Sequence, residues 1–206
     1  MYDSILSPVT QRVLVLLRKK KMVKDFYLAG GTALALQYGH RKSDDLDWFS
    51  DKDFSLDRLE QGLKKVGRLM VTAKDKGTWH GIVNRVRLTF LHYPYRLLWP
   101  PLNYNGINIA DARDIACLKL QAISNRGSRK DFFDLYILLQ QYSLDQLLKW
   151  FDRKYQGVRY NRLHLLKSLV YFNDAASEPN PILLTKLTWT TVKHYLTGQV
   201  KSYLNH

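Results

Sequence analysis

Hydrophobic and polar positions divide the chain into a mixed first half and a helical second half. Short apolar or alternating runs predict strands at 26–29, 45–49, 69–73, 81–83, 86–92 and 107–109. Apolar positions at helical spacing predict helices at 8–25, 32–38, 55–66, 112–125, 129–142, 144–155, 161–173 and 188–204. Asn84 and Arg85 can form the two-residue turn of a hairpin. The pattern therefore predicts an α+β part followed by helices alone.

Composition indicates a folded chain that stays out of the membrane. The 206 residues are 46% hydrophobic and 13% aromatic, which excludes disordered and fibrous classes. Charged residues interrupt every apolar run well before the ~20 residues that a membrane span needs. The N-terminus does not resemble a secretion signal, so a cytoplasmic location is expected. The single cysteine, Cys117, excludes an internal disulfide and a cysteine-built zinc site and predicts apolar packing.

Basic residues are in excess throughout the sequence. Lys and Arg number 32 against 18 Asp and Glu, which gives a net charge of +14. The excess is spread over both halves, so it is not a basic tail. A folded basic chain rich in Tyr and Trp favours a polyanionic partner, nucleic acid ahead of a membrane surface. The alternative is a basic protein whose charge serves only solubility.

Two short segments carry the candidate chemistry. The strand at 26–29 runs into Gly30 and Gly31, and a helix opens at Thr32. Backbone N–H groups at such a helix start can bind a phosphate, and the glycines allow close approach. Thr32 can either cap the helix or contact a phosphate oxygen.

The second segment places two carboxylates on one face of a strand. Asp45 and Asp47 are two residues apart, so their side chains leave the same face, while Leu46 and Trp48 point to the other. Like charges at this distance are costly, and a Mg²⁺ ion carrying nucleotide phosphates would offset the cost. A solvated strand face is the alternative for the pair alone. Together with the Gly-Gly turn, the pair resembles the active-site layout of the polymerase-β-type nucleotidyltransferase fold.

Both segments resemble one known family. Gly-Gly-Thr-Ala-Leu-Ala-Leu at 30–36 and the His-Arg-Lys-Ser-Asp-Asp-Leu-Asp-Trp-Phe-Ser run at 40–50 resemble the first motif of AbiEii/AbiGii toxins. These are nucleotidyltransferase toxins of type IV toxin–antitoxin and abortive-infection systems. Downstream, Lys119 followed by Lys-Asp-Phe-Phe-Asp-Leu at 130–135 resembles that family's helical motif. The two matches span about 26–50 and 111–139.

The resemblance implies a fold and a reaction. It implies a nucleotidyltransferase domain with a mixed sheet at 1–110 and a helical lobe at 111–206 that completes the active-site cleft. It implies transfer of a nucleoside monophosphate from a nucleoside triphosphate to an acceptor, most often the 3′ end of tRNA, with Mg²⁺ or Mn²⁺ as cofactor. A cognate antitoxin is an implied partner, and no membrane partner is expected.

The resemblance also implies roles for individual residues. Asp45 and Asp47 are expected to hold the metal and to act in catalysis together with Lys119 and Asp134, the last positioning or deprotonating the acceptor. Residues expected to bind the nucleotide are Gly30, Gly31, Thr32, Arg41, Ser43 and Asp131. Residues expected to contact RNA phosphates are Arg126, Arg129, Lys130, Lys149, Arg153 and Lys154.

Structural alternatives accompany several of these roles. Lys119 either snorkels to the surface or contacts a phosphate. Asp131 forms a capping-box pattern with Ser128, which favours a structural role. Arg41 and Ser43 either orient phosphates or solvate their loop. Each basic residue of the helices, taken singly, is consistent with a solvated face.

One departure from the fold's usual pattern bears on catalysis. Polymerase-β-type enzymes commonly carry a third carboxylate on a later strand, and here Thr89 stands in that region, with no Asp or Glu between Lys76 and Ala110. Two interpretations are open. Either the metal site uses two strand carboxylates, with Asp134 or the nucleotide as a further ligand, or catalysis is impaired. Two alternatives to the RNA-modifying toxin follow: an aminoglycoside-type small-molecule nucleotidyltransferase, and a degenerate family member that only binds nucleic acid.

Overall fold

The computed structural model describes residues 1–205 and consists of two compact units, Met1–Asp111 and a second that begins at Ala112. The first unit opens with a 3-10 helix, Asp3–Ile5. Its helices are α1 (Pro8–Lys19), α2 (Gly30–Tyr38) and α3 (Leu56–Lys64). Its strands are β1 (Tyr27–Ala29), β2 (Leu46–Ser50), β3 (Leu69–Asp75), β4 (Thr78–Val83), β5 (Val86–His92), β6 (Leu102–Tyr104) and β7 (Ile107–Ile109).

The strands form one mixed sheet in the order β3-β4-β5-β2-β1-β7-β6. β2 pairs parallel with β5 and antiparallel with β1, and β1 pairs parallel with β7. In this register Asp47 lies between Ala29 of β1 and Thr89 of β5. The central strand β2 therefore carries Asp47, and Asp45 directly precedes it.

The two faces of the sheet differ because side chains alternate along each strand. One face carries buried apolar residues, among them Leu46, Trp48, Leu88 and Phe90. Trp79 belongs to this face and donates its indole N–H to Glu60 of α3, so α3 covers it. The opposite face carries Asp47 with its register neighbours Ala29 and Thr89, and it mixes polar and apolar side chains.

The second unit is helical. It contains α4 (Ala112–Asn125), α5 (Arg129–Leu139), α6 (Leu144–Lys154), α7 (Arg162–Ser168) and α8 (Trp189–Leu204). α6 begins with a full capping box between Ser143 and Gln146, which satisfies two backbone N–H groups. An aromatic cluster of this unit brings the buried Phe132 and the half-buried Phe172 into contact with Trp189.

The fold class predicted from the sequence is confirmed, and the differences are local. β6 has no counterpart among the predicted strands, because a three-residue edge strand after Pro100 and Pro101 gives no alternation signal. α1 ends at Lys19 rather than near Asp25, and Lys21 takes a left-handed conformation. The Asn84-Arg85 hairpin turn is confirmed. Across residues 1–205, no helix has the length and apolar character to cross a membrane.

Candidate active site

The two strand carboxylates lie at the start of β2. Asp45 directly precedes the strand, Asp47 is its second residue, and both are partly exposed. Gly30, the first residue of α2, lies against Asp47: a Cβ atom on Gly30 would be 2.6 Å from Asp47 Oδ2. Gly30 has a φ of 66°, a backbone conformation that residues with a side chain rarely adopt. The glycine therefore permits both the backbone turn and the approach of the carboxylate.

Arg87 of β5 is a partner that the sequence did not suggest. Its Nε donates to Asp45 Oδ1 at 2.9 Å, while its side chain stays 76% exposed. This pairing offsets part of the repulsion between Asp45 and Asp47. A bound cation is therefore not the only positive charge that can offset the repulsion.

Thr32 and Ser43 fix the segment 41–45 that precedes β2, here called the acidic loop. The Thr32 hydroxyl donates to the Asp45 carbonyl and forms a 2.7 Å hydrogen bond with Ser43 Oγ. Thr32 is buried, and α2 begins two residues earlier, at Gly30, with Ala29 as an N-cap that offers no side-chain bond. Thr32 is therefore not the N-cap of α2; its hydroxyl positions the backbone of Asp45, and its contact with a phosphate stays a prediction. The first N–H groups of α2 receive no side-chain cap from Ala29.

Arg41 and Asp44 anchor the same loop. Arg41 is buried and donates to the Lys42 carbonyl, so it does not merely solvate the loop. Asp44 is exposed and accepts the Ser7 N–H at 2.8 Å and the Thr10 hydroxyl at 2.6 Å. Burial alone would raise the pKa of Asp44, but these hydrogen bonds outweigh it and lower the pKa below its usual value. The loop is thus tied to the start of α1.

Thr89 lies beside Asp47 in the sheet register, in the region where polymerase-β-type enzymes commonly carry a third carboxylate. On its other side lies His80 of β4, whose Nδ1 is 3.2 Å from the Thr89 hydroxyl. Within residues 1–205, no three His, Cys, Asp or Glu side chains form a group that could bind a metal together. The acidic component of the site in this unit is the Asp45 and Asp47 pair.

The chemistry of this pair fits a hard divalent cation. Mg²⁺ prefers oxygen ligands and is commonly held by one or two carboxylates together with water and substrate phosphates. Asp45 and Asp47 supply oxygen ligands on one face, and the space that a Gly30 side chain would fill is left to Asp47. The residues present are consistent with the expected Mg²⁺ or Mn²⁺.

The helical unit brings Lys119, Asp131 and Asp134 into one buried cluster. Lys119 Nζ lies 2.7 Å from Asp131 Oδ1 and 2.6 Å from Asp134 Oδ2. Asp131 is 2% exposed and Asp134 is fully buried. Lys119 therefore does not snorkel to the surface. Both carboxylates bind the same lysine. Their contacts therefore do not distinguish Asp134, which the sequence favours as the catalytic carboxylate, from Asp131.

The predicted capping box at α5 is wrong. Ser128 is the N-cap residue but makes no side-chain cap, because its hydroxyl donates to Glu178 Oε2 at 2.8 Å. The Arg129 N–H donates to the same oxygen at 2.7 Å. Asp131 turns instead to Lys119, and its Oδ2 has no hydrogen-bond partner within residues 1–205. A contact between helices thus replaces the local cap that the pattern indicated.

Of the six basic residues expected to contact RNA, two are committed to the fold. Lys154 is 6% exposed, and its Nζ lies 2.7 Å from Asp114, so its assignment to an RNA surface is corrected. Arg129 donates to the carbonyls of Ala175 and Ala176 and lies over Trp189. Four residues remain exposed: Arg126, Lys130, Lys149 and Arg153.

Cys117 is buried beside the Lys154 ion pair. Burial raises the pKa of its thiol to about 12, which keeps it protonated. The predicted packing role of the cysteine agrees with this placement.

Comparisons with known proteins agree on one family. Residues 12–101 and 81–200 match the family described as nucleotidyl transferase AbiEii toxin, type IV TA system. An uncharacterized protein of Aquifex aeolicus is 38% identical over 188 residues, covering 88% of this chain and 89% of its own.

Solved structures share the fold. JHP933 from Helicobacter pylori has a TM-score of 0.57 at 17% identity, covering 96% of this chain and 92% of that one. The nucleotidyltransferase toxin MenT4 from Mycobacterium tuberculosis has a TM-score of 0.58 at 14% identity, covering 97% and 86%. The chain belongs to the AbiEii family of nucleotidyltransferase toxins of type IV toxin–antitoxin systems.

Proposed function

We propose that this protein transfers a nucleoside monophosphate from a nucleoside triphosphate to the 3′ end of tRNA, with Mg²⁺ or Mn²⁺ as cofactor. One observation carries the proposal: Asp47 lies against the Gly30 start of α2, with Asp45 on the same face. This places carboxylates beside backbone N–H groups that can bind phosphate. Family membership supplies the reaction class.

In the proposed reaction the oxygen of the acceptor hydroxyl attacks the α-phosphorus. The bond from that phosphorus to its bridging oxygen breaks, pyrophosphate leaves with the electron pair, and the hydroxyl proton passes to solvent. The N–H groups at Gly30 and Gly31 bind phosphate oxygens, and Thr32 and Ser43 hold the loop that presents Asp45. A metal ion held by Asp45 and Asp47 would offset the charge of the phosphates.

For the helical unit, we propose Lys119 as a catalytic cation, the role that the family resemblance implies for it. Asp131 and Asp134 are positioning residues in this proposal, since each holds the Lys119 ammonium through one oxygen. Of the two roles expected for Asp134, we propose positioning, exerted through the Lys119 ammonium that its carboxylate binds.

The RNA acceptor is supported by charge. The net charge of +14 and the exposed Arg126, Lys130, Lys149 and Arg153 favour a polyanion. A small cationic acceptor such as an aminoglycoside would gain nothing from this charge. A cognate antitoxin is a further proposed partner, as the family implies.

The test incubates purified protein with total tRNA and each α-labelled nucleoside triphosphate in turn, with Mg²⁺ or Mn²⁺. We expect label on tRNA from the wild type and none from Asp47→Asn, while Asp53→Asn, an exposed change on the same unit, retains activity. Label on an aminoglycoside but not on tRNA would favour the small-molecule enzyme. RNA binding without transfer of any label would favour the degenerate binding protein.

A further inference from the structure

A groove at the tip of the β4–β5 hairpin has an apolar lining and a basic rim. It encloses about 510 Å³ and is lined by Val9, Arg68, Met70, Ile82, Asn84 and Arg85. Met70 is 55% exposed, which is unusual for a large apolar side chain on the edge strand of a sheet. An exposed apolar patch with a charged rim is typical of a binding site.

The sheet register connects this groove to the acidic pair. Met70 lies opposite Ile82, and Ile82 lies opposite Arg87. Register partners share a face, so one row of side chains runs from Met70 through Ile82 to Arg87. Arg87 in turn bonds to Asp45. A ligand in the groove would therefore follow the sheet face toward Asp45.

The basic rim is held in place by the backbone. The Arg68 N–H donates to Asn84 Oδ1 at 2.9 Å, and the Asn84 N–H donates to the Arg68 carbonyl at 3.0 Å. Asn84 and Arg85 have φ values of 49° and 72°, which describe a type I′ turn. Glycine is preferred at the second position of such a turn, so an arginine there is unfavourable for the backbone. The guanidinium of Arg85 is the feature that a glycine would not supply.

We infer that this groove binds the unpaired 3′ end of the RNA acceptor, an inference that rests on the proposed function. Arg68 and Arg85 would contact backbone phosphates, and Val9, Met70 and Ile82 would contact an unstacked base. Charge complementarity with a polyanion and the continuity of the row with Asp45 favour this occupant. An acidic protein segment is the competing occupant.

The experiment measures binding and therefore does not depend on transfer. The probes are two labelled RNA duplexes, one blunt and one with a four-nucleotide 3′ overhang. We expect the wild type to prefer the overhang, and Arg68→Gln with Arg85→Gly to weaken overhang binding by about tenfold and flatten its salt slope by about two units. Blunt-duplex binding should change little. Met70→Gln should weaken the overhang preference without changing the salt slope.

Two controls separate the groove from general charge and from misfolding. Arg58→Gln removes an exposed arginine from α3, which covers the opposite face, and should leave the preference intact. Arg85→Gly should melt at or above the wild-type temperature, because glycine suits the turn. An unchanged overhang preference in folded groove variants overturns the inference. Binding of an acidic peptide that the groove substitutions weaken, while RNA binding stays the same, overturns it as well. If the wild-type protein transfers no label to tRNA but still prefers the duplex with the 3′ overhang, the proposed function is overturned and the inference about the groove is not.

Discussion

Asp47 Oδ2 occupies the space where a side chain on Gly30 would begin. A Cβ atom at Gly30 would lie 2.6 Å from that oxygen, well inside the contact distance of carbon and oxygen. The first residue of α2 and the second residue of β2 are thus built against each other. Any group larger than hydrogen at Gly30 must displace the carboxylate that we propose as a metal ligand.

Gly30→Ala is expected to abolish nucleotide transfer and to destabilise the first unit. The substitution combines a positive φ, which costs about 1 kcal/mol for a residue with a side chain, with the displacement of Asp47. Gly157→Ala is the matched control, since Gly157 has a φ of 85° and a Cβ atom there would meet nothing within 4 Å. Thermal melts and labelling assays should show a similar backbone cost in both variants but lost transfer only at Gly30. Equal activity of the two would contradict the proposed role of the contact.

The buried Lys119 cluster predicts an asymmetry between its members. Lys119→Met leaves two carboxylates buried without their cation and should lower the free energy of unfolding by about 3–5 kcal/mol. Asp131→Asn leaves a one-to-one pair and should cost about 1 kcal/mol or less. Denaturant titrations test both, with exposed Lys130→Met as the control.

The same cluster allows its structural and chemical roles to be separated. Combining Lys119→Met with Asp131→Asn and Asp134→Asn removes every charge and should restore most of the lost stability, because neutral buried groups need no counter-ion. A folded triple variant without transfer supports a chemical role for the lysine. A folded triple variant with normal transfer would limit Lys119 to a structural one.

Local spacing predicted much of the site, and pairing between distant segments produced the rest. The Gly30-Gly31 turn and the Asp45 and Asp47 pair could be identified because strand alternation and helix starts are local properties. The bond between Arg87 and Asp45 joins residues 42 apart and depends on the parallel pairing of β2 with β5. No pattern within either strand indicates that neighbour.

The helical unit shows the same division. The helix positions followed from apolar spacing, but the partners of its buried charges depend on which helices pack together. Lys154 resembles any basic residue on an amphipathic helix, and only the packing of α6 near Asp114 makes it a buried ion. Asp131 likewise satisfies the spacing of a cap yet bonds to a lysine on α4.

The hydrogen bonds of Asp44 to Ser7 and Thr10 hold the acidic loop to the start of α1, and we expect their contribution to stability to fall at low pH. Its pKa is lowered in the folded protein, so the stability that it contributes is present above its usual pKa of 3.8 and is lost as the pH falls through the lower folded value. The contribution is below about 1 kcal/mol because Asp44 is largely exposed. Asp44→Asn should lower the free energy of unfolding at pH 7. The difference in this free energy between the variant and the wild type should become smaller as the pH falls toward 3. A difference that stays constant in denaturant titrations across this range would contradict the link.

The exposed basic residues of α6 provide the last prediction, which separates RNA contact from solvation. Lys149→Gln with Arg153→Gln should weaken tRNA binding and reduce its salt slope by about two units, one for each lost phosphate contact. Triphosphate affinity should be unchanged. Lys64→Gln with Lys65→Gln, on α3 and just beyond it, removes equal charge and should leave the slope intact. Binding curves from low to moderate salt decide the matter: identical slopes for both pairs would show that α6 is merely solvated and that RNA docks elsewhere.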